Sequence, residues 1–230
     1  MKQLQNDQKG FSLLEVLIAL SLGAAVLGAI IVRVGDTRRD LKQGLNDLER
    51  AIRFSDSEAS FRNSLIRLHI KLGDEEKPYQ SYSLQYGPEG SFVLPKAQST
   101  KNLTESEREE EDKKAKALDR KFNKIEEFQE EDKELNGNIR FIGIGTTHND
   151  ALITDGNVSL FTYPTGEKDS AIIILGSDVE VGYIKISAFL QDFNTGYKPL
   201  VLEDNSEEEI YDKQRDLADE IFFEWKSQNK

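Results

Sequence analysis

The sequence has 230 residues and no cysteine, and its 30 basic and 42 acidic side chains give a net charge of −12. This length allows one domain of moderate size with appendages. The acidic balance argues against nucleic acid as a partner, because phosphate contacts need clustered Lys and Arg. The missing thiols exclude disulfides, thiolate catalysis and cysteine-type zinc sites.

An apolar run begins close to the amino terminus. Between Phe11 and Val32 the clearly polar side chains are Ser12, Glu15 and Ser21. As a helix these residues would measure about 33 Å, which is enough to cross a hydrocarbon core of about 30 Å. We therefore predict a membrane-spanning half of a first helix over residues 11–34.

The run opens with the motif Lys9-Gly10-Phe11-Ser12-Leu13-Leu14-Glu15. It resembles the cleavage and methylation motif of type IV pilins and type II secretion pseudopilins, in which a basic leader ends in Gly and is followed by Phe, a small hydroxyl residue, two aliphatic residues and Glu. The resemblance implies that a prepilin peptidase removes the leader 1–10 by cutting after Gly10, and then methylates the new amino group of Phe11.

Two other interpretations of the run stay open. A cleaved secretory signal has an apolar region of about 7–15 residues, which is shorter than this one. A plain membrane anchor fits the length but leaves Glu15 unexplained, because a charge at the centre of a bilayer costs about 2.5–3.5 kcal/mol.

Glu15 is the main functional candidate of this segment. It lies one helical turn from Phe11. In its simplest role the Glu15 side chain extends toward the membrane surface, and its negative charge interacts favourably with the positive end of the helix dipole. The alternative is that cleavage creates an amino group with a pKa of about 7.7–8.0, whose cation pairs with Glu15 of a neighbouring subunit. In the family this Glu registers an incoming subunit, so the resemblance assigns filament assembly to Phe11 and Glu15.

The charges on either side of the apolar run predict one orientation of the chain in the membrane, and the prepilin resemblance implies the opposite orientation. The positive-inside rule would place the richer cluster in the cytoplasm, and that cluster consists of Arg33, Arg38, Arg39 and Lys42 rather than Lys2 and Lys9. The prepilin resemblance implies a cytoplasmic amino terminus, a single pass through the inner membrane and a periplasmic carboxy-terminal domain.

The helical pattern continues beyond the apolar run. Over residues 35–60 an apolar stripe is formed by Leu41, Leu45, Leu48, Ile52, Ser55 and Ala59. We expect either one helix from about 11 to 59 or two helices with a hinge near Gly35. In both cases the amphipathic half should lie on a sheet.

Residues 61–202 have the pattern of an antiparallel β domain. Alternating or apolar runs predict strands at 66–72, 82–86, 92–94, 139–144, 158–163, 171–175 and 183–190. A charged insertion, 102–136, separates them, and its first half has the composition of a disordered segment. The spacing of Leu118, Phe122, Ile125 and Phe128 predicts an amphipathic helix in its second half, docked on the protein's own sheet or on a partner.

A carboxy-terminal acidic helix is predicted over 203–230, where Ile210, Leu217, Ile221 and Trp225 share one face. The predicted fold class is therefore α+β and pilin-like: a long amino-terminal helix packed on antiparallel sheets, with a charged helical insertion and a final helix.

A second resemblance lies in the strand and turn from Asp155 to Gly166, followed by Ala171-Ile172-Ile173-Ile174-Leu175. This order is similar to the H-type minor pseudopilin of type II secretion and its minor-pilin relatives. The Glu at position 15 argues against the K-type tip pseudopilin, which lacks it. No run resembles the calcium loop of the major pseudopilin, although Asp155 and the acidic tail leave weak metal binding open.

Signs of catalysis are weak. Gly143-Ile144-Gly145 lacks the third Gly and the following helix of a dinucleotide site, so a strand end or turn is the better interpretation. His69 and His148 lack metal-ligand spacing, and neither neighbours a nucleophile motif. We predict no catalytic residues, no metal and no cofactor, and hence no enzyme.

These inferences favour a structural minor pseudopilin of a type II secretion system, which helps to initiate or cap the periplasmic pseudopilus. The expected partners are the prepilin peptidase, other pseudopilins or pilins, the inner-membrane assembly platform and the lipid bilayer. The alternatives are a minor pilin of a type IV pilus or competence system, and a membrane-anchored periplasmic binding protein that does not polymerise.

Overall fold

A computed structural model of the chain describes residues 13–73, 79–87, 104–128, 132–135, 139–189, 193–203 and 206–229. Within these ranges, the side chains of 27–34, 105, 108, 111, 112 and 115 are not described. The chain divides into two compact units, Met1–Asp36 and Thr37–Lys230.

The first helix, α1, spans Leu13–Arg62. It contains Gly35 without interruption, so the alternative of two helices separated near that residue is not observed. Part of α1 belongs to each compact unit.

Two antiparallel sheets form the body of the second unit. The first sheet contains β1 (Ile66–Gly73), β2 (Ser81–Tyr86), β3 (Asn123–Lys124), β4 (Lys133–Glu134) and β6 (Gly156–Thr162). The second sheet contains β5 (Arg140–Thr146), β7 (Ala171–Gly176), β8 (Glu180–Ile186) and β9 (Asn194–Pro199), in the order β5-β7-β8-β9. The central strand β1 pairs with β2 on one side and with β6 on the other, so that Leu68 faces both Leu84 and Leu160.

The main core lies between α1 and the inner faces of both sheets. Every residue of the predicted stripe is buried: Leu41, Leu45, Leu48, Ile52, Ser55 and Ala59. On the first sheet the alternate residues of β1 turn toward this stripe, as the period-two pattern predicted. The predicted packing of the amphipathic half of α1 on a sheet is therefore confirmed.

A second core lies on the far side of the second sheet. The helix α3, Glu207–Gln228, packs Ile221, Phe222 and Trp225 against Ile172 and Ile174 of β7. The intervening residues of β7 face the main core. β7 is therefore buried on both faces, which explains why its sequence is an uninterrupted apolar run. The carboxy-terminal helix was predicted correctly.

The charged insertion differs from the prediction. Its helix, α2, spans Glu105–Asp119, which is the first half of the insertion rather than the second. Thr104 and Glu107 form a reciprocal capping box at its start. Apart from Asp119 at its end, the acidic residues of α2 precede its lysines, an order that complements the helix dipole. These local contacts stabilise a helix in a segment whose composition indicated disorder.

The apolar residues at 118–128 fold on the protein's own sheet, but they do not form a helix of their own: Leu118 lies at the end of α2, and the other three follow it in turns and in the short strand region. Phe122 and Ile125 are buried, and Leu118 and Phe128 pack beside them. The chain makes turns here and adds the short strand β3 to β2. The helix predicted at this spacing is wrong, because the four side chains enter two different core clusters instead of sharing one helical face.

Some strands also differ from the prediction. The strand predicted at 183–190 is β8, which begins earlier and ends at Ile186. The strand β9 was missed because Gly196 and Pro199 break its apolar alternation, and it is held by backbone pairing with β8. The strand predicted at 92–94 lies outside the described residues. The α+β class and the antiparallel sheets are confirmed.

Candidate assembly segment and its supporting domain

The amino-terminal part of α1 exposes its apolar side chains. Every residue from Leu13 to Val26 is exposed, and Leu13, Leu20 and Leu22 keep 82%, 70% and 63% of their surface accessible. Soluble proteins rarely leave an apolar surface of this length uncovered. A helix that is apolar on all sides needs lipid or other protein around it.

The two polar groups described in this segment are arranged differently. Glu15 lies in the first turn of α1 as described, where a carboxylate is favoured by the helix dipole, and it is exposed. Ser21 Oγ donates to the carbonyl oxygen of Leu17 over 2.8 Å, so its hydroxyl is satisfied within the helix. Lipid or protein that covers the described part of this segment would therefore meet one charged side chain, that of Glu15.

The predicted processing residues cannot be placed. Gly10 and Phe11 lie outside the described residues, so the cleavage point, the methylated amino group and its pairing with Glu15 stay predictions. Among the residues that the structure describes, no helix combines the length and apolar character that crossing a membrane requires.

Buried ion pairs hold the rest of α1 on the sheets. Asp47, which is 5% exposed, accepts a hydrogen bond from Lys133 Nζ at 2.7 Å and another from Arg50. Farther along the helix, Asp56 accepts from Lys168 Nζ, which lies in the turn after β6. These contacts fix the orientation of α1 in the second unit.

The outer face of the first sheet carries a buried polar cluster. Arg67 donates to Gln85 Oε1 and to Asp119 Oδ1, and its guanidinium lies 4.0 Å from the centre of the Phe122 ring. Burial lowers the pKa of the Arg67 guanidinium, and the hydrogen bond to Asp119 opposes that change. Because Asp119 ends α2, this cluster joins the insertion to the sheet.

His69 lies beside that cluster, with Nδ1 3.1 Å from Ser159 Oγ. Burial lowers its pKa to about 4, and the Arg67 charge acts in the same direction. The ring is therefore neutral at physiological pH and is packed rather than free to exchange protons. His148 is exposed in a turn, and no group of His, Asp or Glu within the described part of the chain is arranged to hold a metal ion.

The sequence Gly143-Ile144-Gly145 lies inside strand β5. Of the two predicted alternatives, a strand end or a turn, this position agrees with the strand end, since β5 ends at Thr146. A Cβ atom on Gly145 would collide with the ring of Phe222, so the missing side chain makes room for α3. The resemblance to a dinucleotide fingerprint has a packing explanation.

Two charged surfaces escaped the sequence analysis. The first, called here the basic face, lies on the solvent side of α1 and consists of the exposed Arg38, Arg39, Lys42, Arg50 and Arg53. The second, called here the acidic ladder, lies on the solvent side of α3 and consists of the exposed Glu208, Asp212, Asp216, Glu220 and Glu224. A search for one sign of charge at helical spacing would have found the ladder. The basic face is interrupted in the sequence by Asp40, Asp47 and Glu49, which the structure buries fully or in part.

Comparison with known families gives one match: residues 5–31 match the family described as the prokaryotic N-terminal methylation motif. No curated protein and no solved structure matches the chain. The matched range contains Gly10, Phe11 and Glu15, and the motif implies processing by a prepilin peptidase and assembly with other pilins or pseudopilins. The chain carries the prokaryotic N-terminal methylation motif, which supports a type IV pilin-like protein with a membrane-anchored amino terminus.

Proposed function

We propose that this protein is a structural minor pseudopilin of a type II secretion system, which helps to initiate or cap the periplasmic pseudopilus that drives protein export. The observation that carries the proposal is the exposed apolar segment Leu13 to Val26, which holds Glu15 in its first turn and overlaps the methylation motif at 5–31. An exposed helix of this kind needs an apolar environment, which a bilayer supplies before assembly and neighbouring helices supply afterwards.

The proposed sequence of events begins with insertion of the apolar segment into the inner membrane, with the leader in the cytoplasm. The prepilin peptidase cuts the peptide bond after Gly10 and methylates the amino group of Phe11. That amino group remains protonated and pairs with Glu15 of the adjoining subunit. At 4 Å and an effective dielectric constant of 20, the attraction of two unit charges is about 4 kcal/mol before desolvation is subtracted.

The role is structural rather than catalytic. The two histidines are a packed, neutral His69 and an exposed His148 in a turn, and the Gly-rich stretch in β5 makes room for Phe222. The domain from Thr37 onward then acts as the surface that meets other subunits, the assembly platform or a substrate.

A minor pilin of a type IV pilus or competence system would use the same amino-terminal segment in the same way. The neighbouring genes separate these roles: a secretion ATPase with a secretin favours type II secretion, and a retraction ATPase favours a pilus. A membrane-anchored binding protein that does not polymerise would lack the processed terminus.

Mass spectrometry of the purified protein tests the proposal directly. We expect a mature chain that begins at Phe11 with a methylated amino group, and a Gly10→Val variant that keeps the leader. Gly23→Ala is the matched control, because a Cβ at Gly23 meets no atom within 4 Å and the site lies outside the cleavage motif. A wild-type chain that still begins at Met1 overturns the proposal. Reporter fusions after residue 60 should report a periplasmic location.

A further inference from the structure

The strand β9 differs from the other outer strands of the two sheets, because each of those is covered at least in part by another segment of the chain. The insertion adds β3 and β4 to the edge of β2. On β5, Ile153 exchanges two backbone hydrogen bonds with Ile144. On β6, Asp169 binds the N–H of Phe161 with its carboxylate and the carbonyl oxygen with its own N–H. Among the described residues, no backbone hydrogen bond reaches the outer side of β9.

The outer side of β9 presents backbone groups whose positions follow from its pairing with β8. Leu200 donates its N–H to the carbonyl oxygen of Val179. In an antiparallel pair, the side toward which a residue directs its N–H and C=O alternates along the strand. Thr195 and Tyr197 therefore direct both groups outward. Pro199 directs its carbonyl outward too, and its missing N–H costs β8 no hydrogen bond.

The usual protections of an edge strand leave part of this edge accessible. Lys and Pro commonly block strand addition at an edge. Lys198, however, is held toward α3, since Nζ lies 3.0 Å from Glu220 Oε1 and 3.5 Å from Glu224 Oε2. Pro199 limits the edge at one end only. The stretch 194–198 can therefore pair with a further strand.

The two faces beside this edge indicate which side chains such a strand would carry. On the α3 side, Glu220 and Glu224 of the acidic ladder keep 66% and 53% of their side-chain surface exposed although both contact Lys198. Lys or Arg at alternate positions of the added strand would meet these carboxylates. On the other face the ring of Tyr197 is 42% exposed, so apolar side chains are favoured there. A second copy of β9 would not supply the cations, because its one basic residue already has acidic partners.

We propose that β9 is the docking site for an extended segment of another protein, in which Lys or Arg alternates with apolar residues. The segment adds a strand to the four-stranded sheet. It accepts hydrogen bonds from the N–H groups of Thr195 and Tyr197, donates to their carbonyl oxygens, and places its cations beside Glu220 and Glu224. The contact goes beyond the proposed function, because it uses only residues of the unit Thr37–Lys230.

The test uses a fluorescent synthetic peptide in which Lys and Val alternate, and full-length protein in neutral detergent. Thr195→Pro removes one outward N–H and leaves the bonds to β8 in place, whereas the matched Thr195→Val keeps that N–H. Fluorescence anisotropy should show that Thr195→Pro binds the peptide at least about tenfold more weakly than Thr195→Val. A peptide with a methylated backbone should lose binding to the wild-type protein to a similar extent, and this comparison needs no substitution in the protein.

The carboxylates are tested separately. Glu220→Gln with Glu224→Gln should weaken binding of the peptide and reduce its dependence on salt. Glu208→Gln with Asp212→Asn is the matched control, because it removes the same charge at least about 12 Å farther along α3 and should change little. Hydrogen exchange of residues 194–199 should become slower when the peptide binds to the wild-type protein.

Two results would overturn the proposal. The first is equal binding of the peptide to Thr195→Pro and Thr195→Val, which would indicate adhesion to the carboxylates alone. The second is a wild-type protein whose hydrogen exchange at 194–199 does not change with the peptide. A Gly10→Val variant, which keeps the leader, should bind the peptide as the wild type does, so a failure of processing and a failure of this contact are separate results.

Discussion

Lys133 donates a hydrogen bond from Nζ to Asp47 Oδ2 over 2.7 Å and thereby joins β4 to α1. Arg50 donates to the other oxygen of the same carboxylate. The residue that precedes β4, Asp132, contacts Lys71 of β1 and Lys124 of β3. Two adjacent residues, Asp132 and Lys133, thus connect this segment both to the first sheet and to α1.

We expect Asp47→Asn to lower the free energy of unfolding at neutral pH by about 1–3 kcal/mol. Burial alone would raise the pKa of this carboxyl, but hydrogen bonds from Lys133 and Arg50 outweigh it and lower the pKa below the ordinary value of 3.8. A carboxyl with a depressed pKa stabilises the folded state above its unfolded pKa, and this stabilisation disappears as the pH falls through the folded pKa. Urea unfolding of both proteins should therefore show a difference at pH 7 that shrinks below about pH 4.

Asp169→Asn is a control for which the unfolding free energy should depend on pH with the opposite sign. Burial raises the pKa of Asp169, although the backbone amide of Phe161 donates to the carboxylate and opposes that change. Its ionised form is penalised above the folded pKa, and the penalty vanishes below the unfolded pKa. Asp169→Asn should accordingly be neutral or stabilising at pH 7 and lose that advantage in acid. Equal losses for Asp47→Asn at pH 7 and pH 3 would contradict the assignment.

We expect Arg67→Lys to destabilise the protein by about 1–3 kcal/mol and to loosen the insertion. A lysine cannot contact Gln85 and Asp119 at once with the same planar group, and it loses the stacking on Phe122. Hydrogen exchange should become faster in the segment 119–125, which these contacts hold against the sheet.

Arg120→Ala is the matched control for that experiment. Arg120 is an exposed arginine that follows Asp119, and its substitution should leave the exchange of 119–125 and the unfolding free energy within about 0.5 kcal/mol of wild type. If Arg67→Lys behaved in the same way, the polar cluster could not be what fixes the insertion.

We expect Gly44→Ala to be neutral or destabilising, by up to about 2 kcal/mol. Alanine gains about 1 kcal/mol of helix propensity over glycine, but overpacking a core costs about 1–3 kcal/mol. A Cβ at position 44 would lie 2.6 Å from Ile139 Cδ1 and 3.3 Å from Leu175 Cδ1. Gly35→Ala in the same helix meets no atom within 4 Å, so it should keep the gain in helix propensity. Thermal unfolding and helix hydrogen exchange should rank Gly35→Ala above Gly44→Ala, and the reverse order would refute this explanation.

Elements whose apolar residues repeat regularly could be predicted from the sequence. The apolar stripe that begins at Leu41 predicted the second half of α1, and the apolar face that ends at Trp225 predicted α3. A helix that is buried on one side repeats its apolar residues at the helical period, so both could be recognised. The placement of α2 could not be predicted in this way, since Thr104 and its capping contacts start a helix whose described side chains are mostly exposed. Strand β9 was missed for a related reason, because backbone pairing with β8 leaves no apolar signal.

The residues of the candidate site also differ in whether the sequence alone could predict them. Gly10, Phe11 and Glu15 were predicted from seven adjacent residues, because a cleavage motif is a local stretch of chain, and the family match at 5–31 contains all three, while their individual roles stay predictions. The basic face and the acidic ladder could not be predicted from adjacent residues, because they lie about 170 residues apart in the sequence. Only the burial of each side chain shows which charges around Arg39 and Asp216 face the solvent.

We expect Glu15→Ala to leave membrane insertion intact and to reduce incorporation into filaments at least about tenfold. In the proposed assembly, removal of the carboxylate leaves the amino group of a processed Phe11 without an anion in the apolar contact, and an unpaired charge there is costly. The measurement compares the amounts of protein in the membrane fraction and in sheared or cross-linked filaments. Ser21→Ala is the matched control, because the Ser21 hydroxyl already binds the Leu17 carbonyl and its removal should change neither amount. Unchanged incorporation of Glu15→Ala would remove the pairing with Phe11 as the basis of assembly.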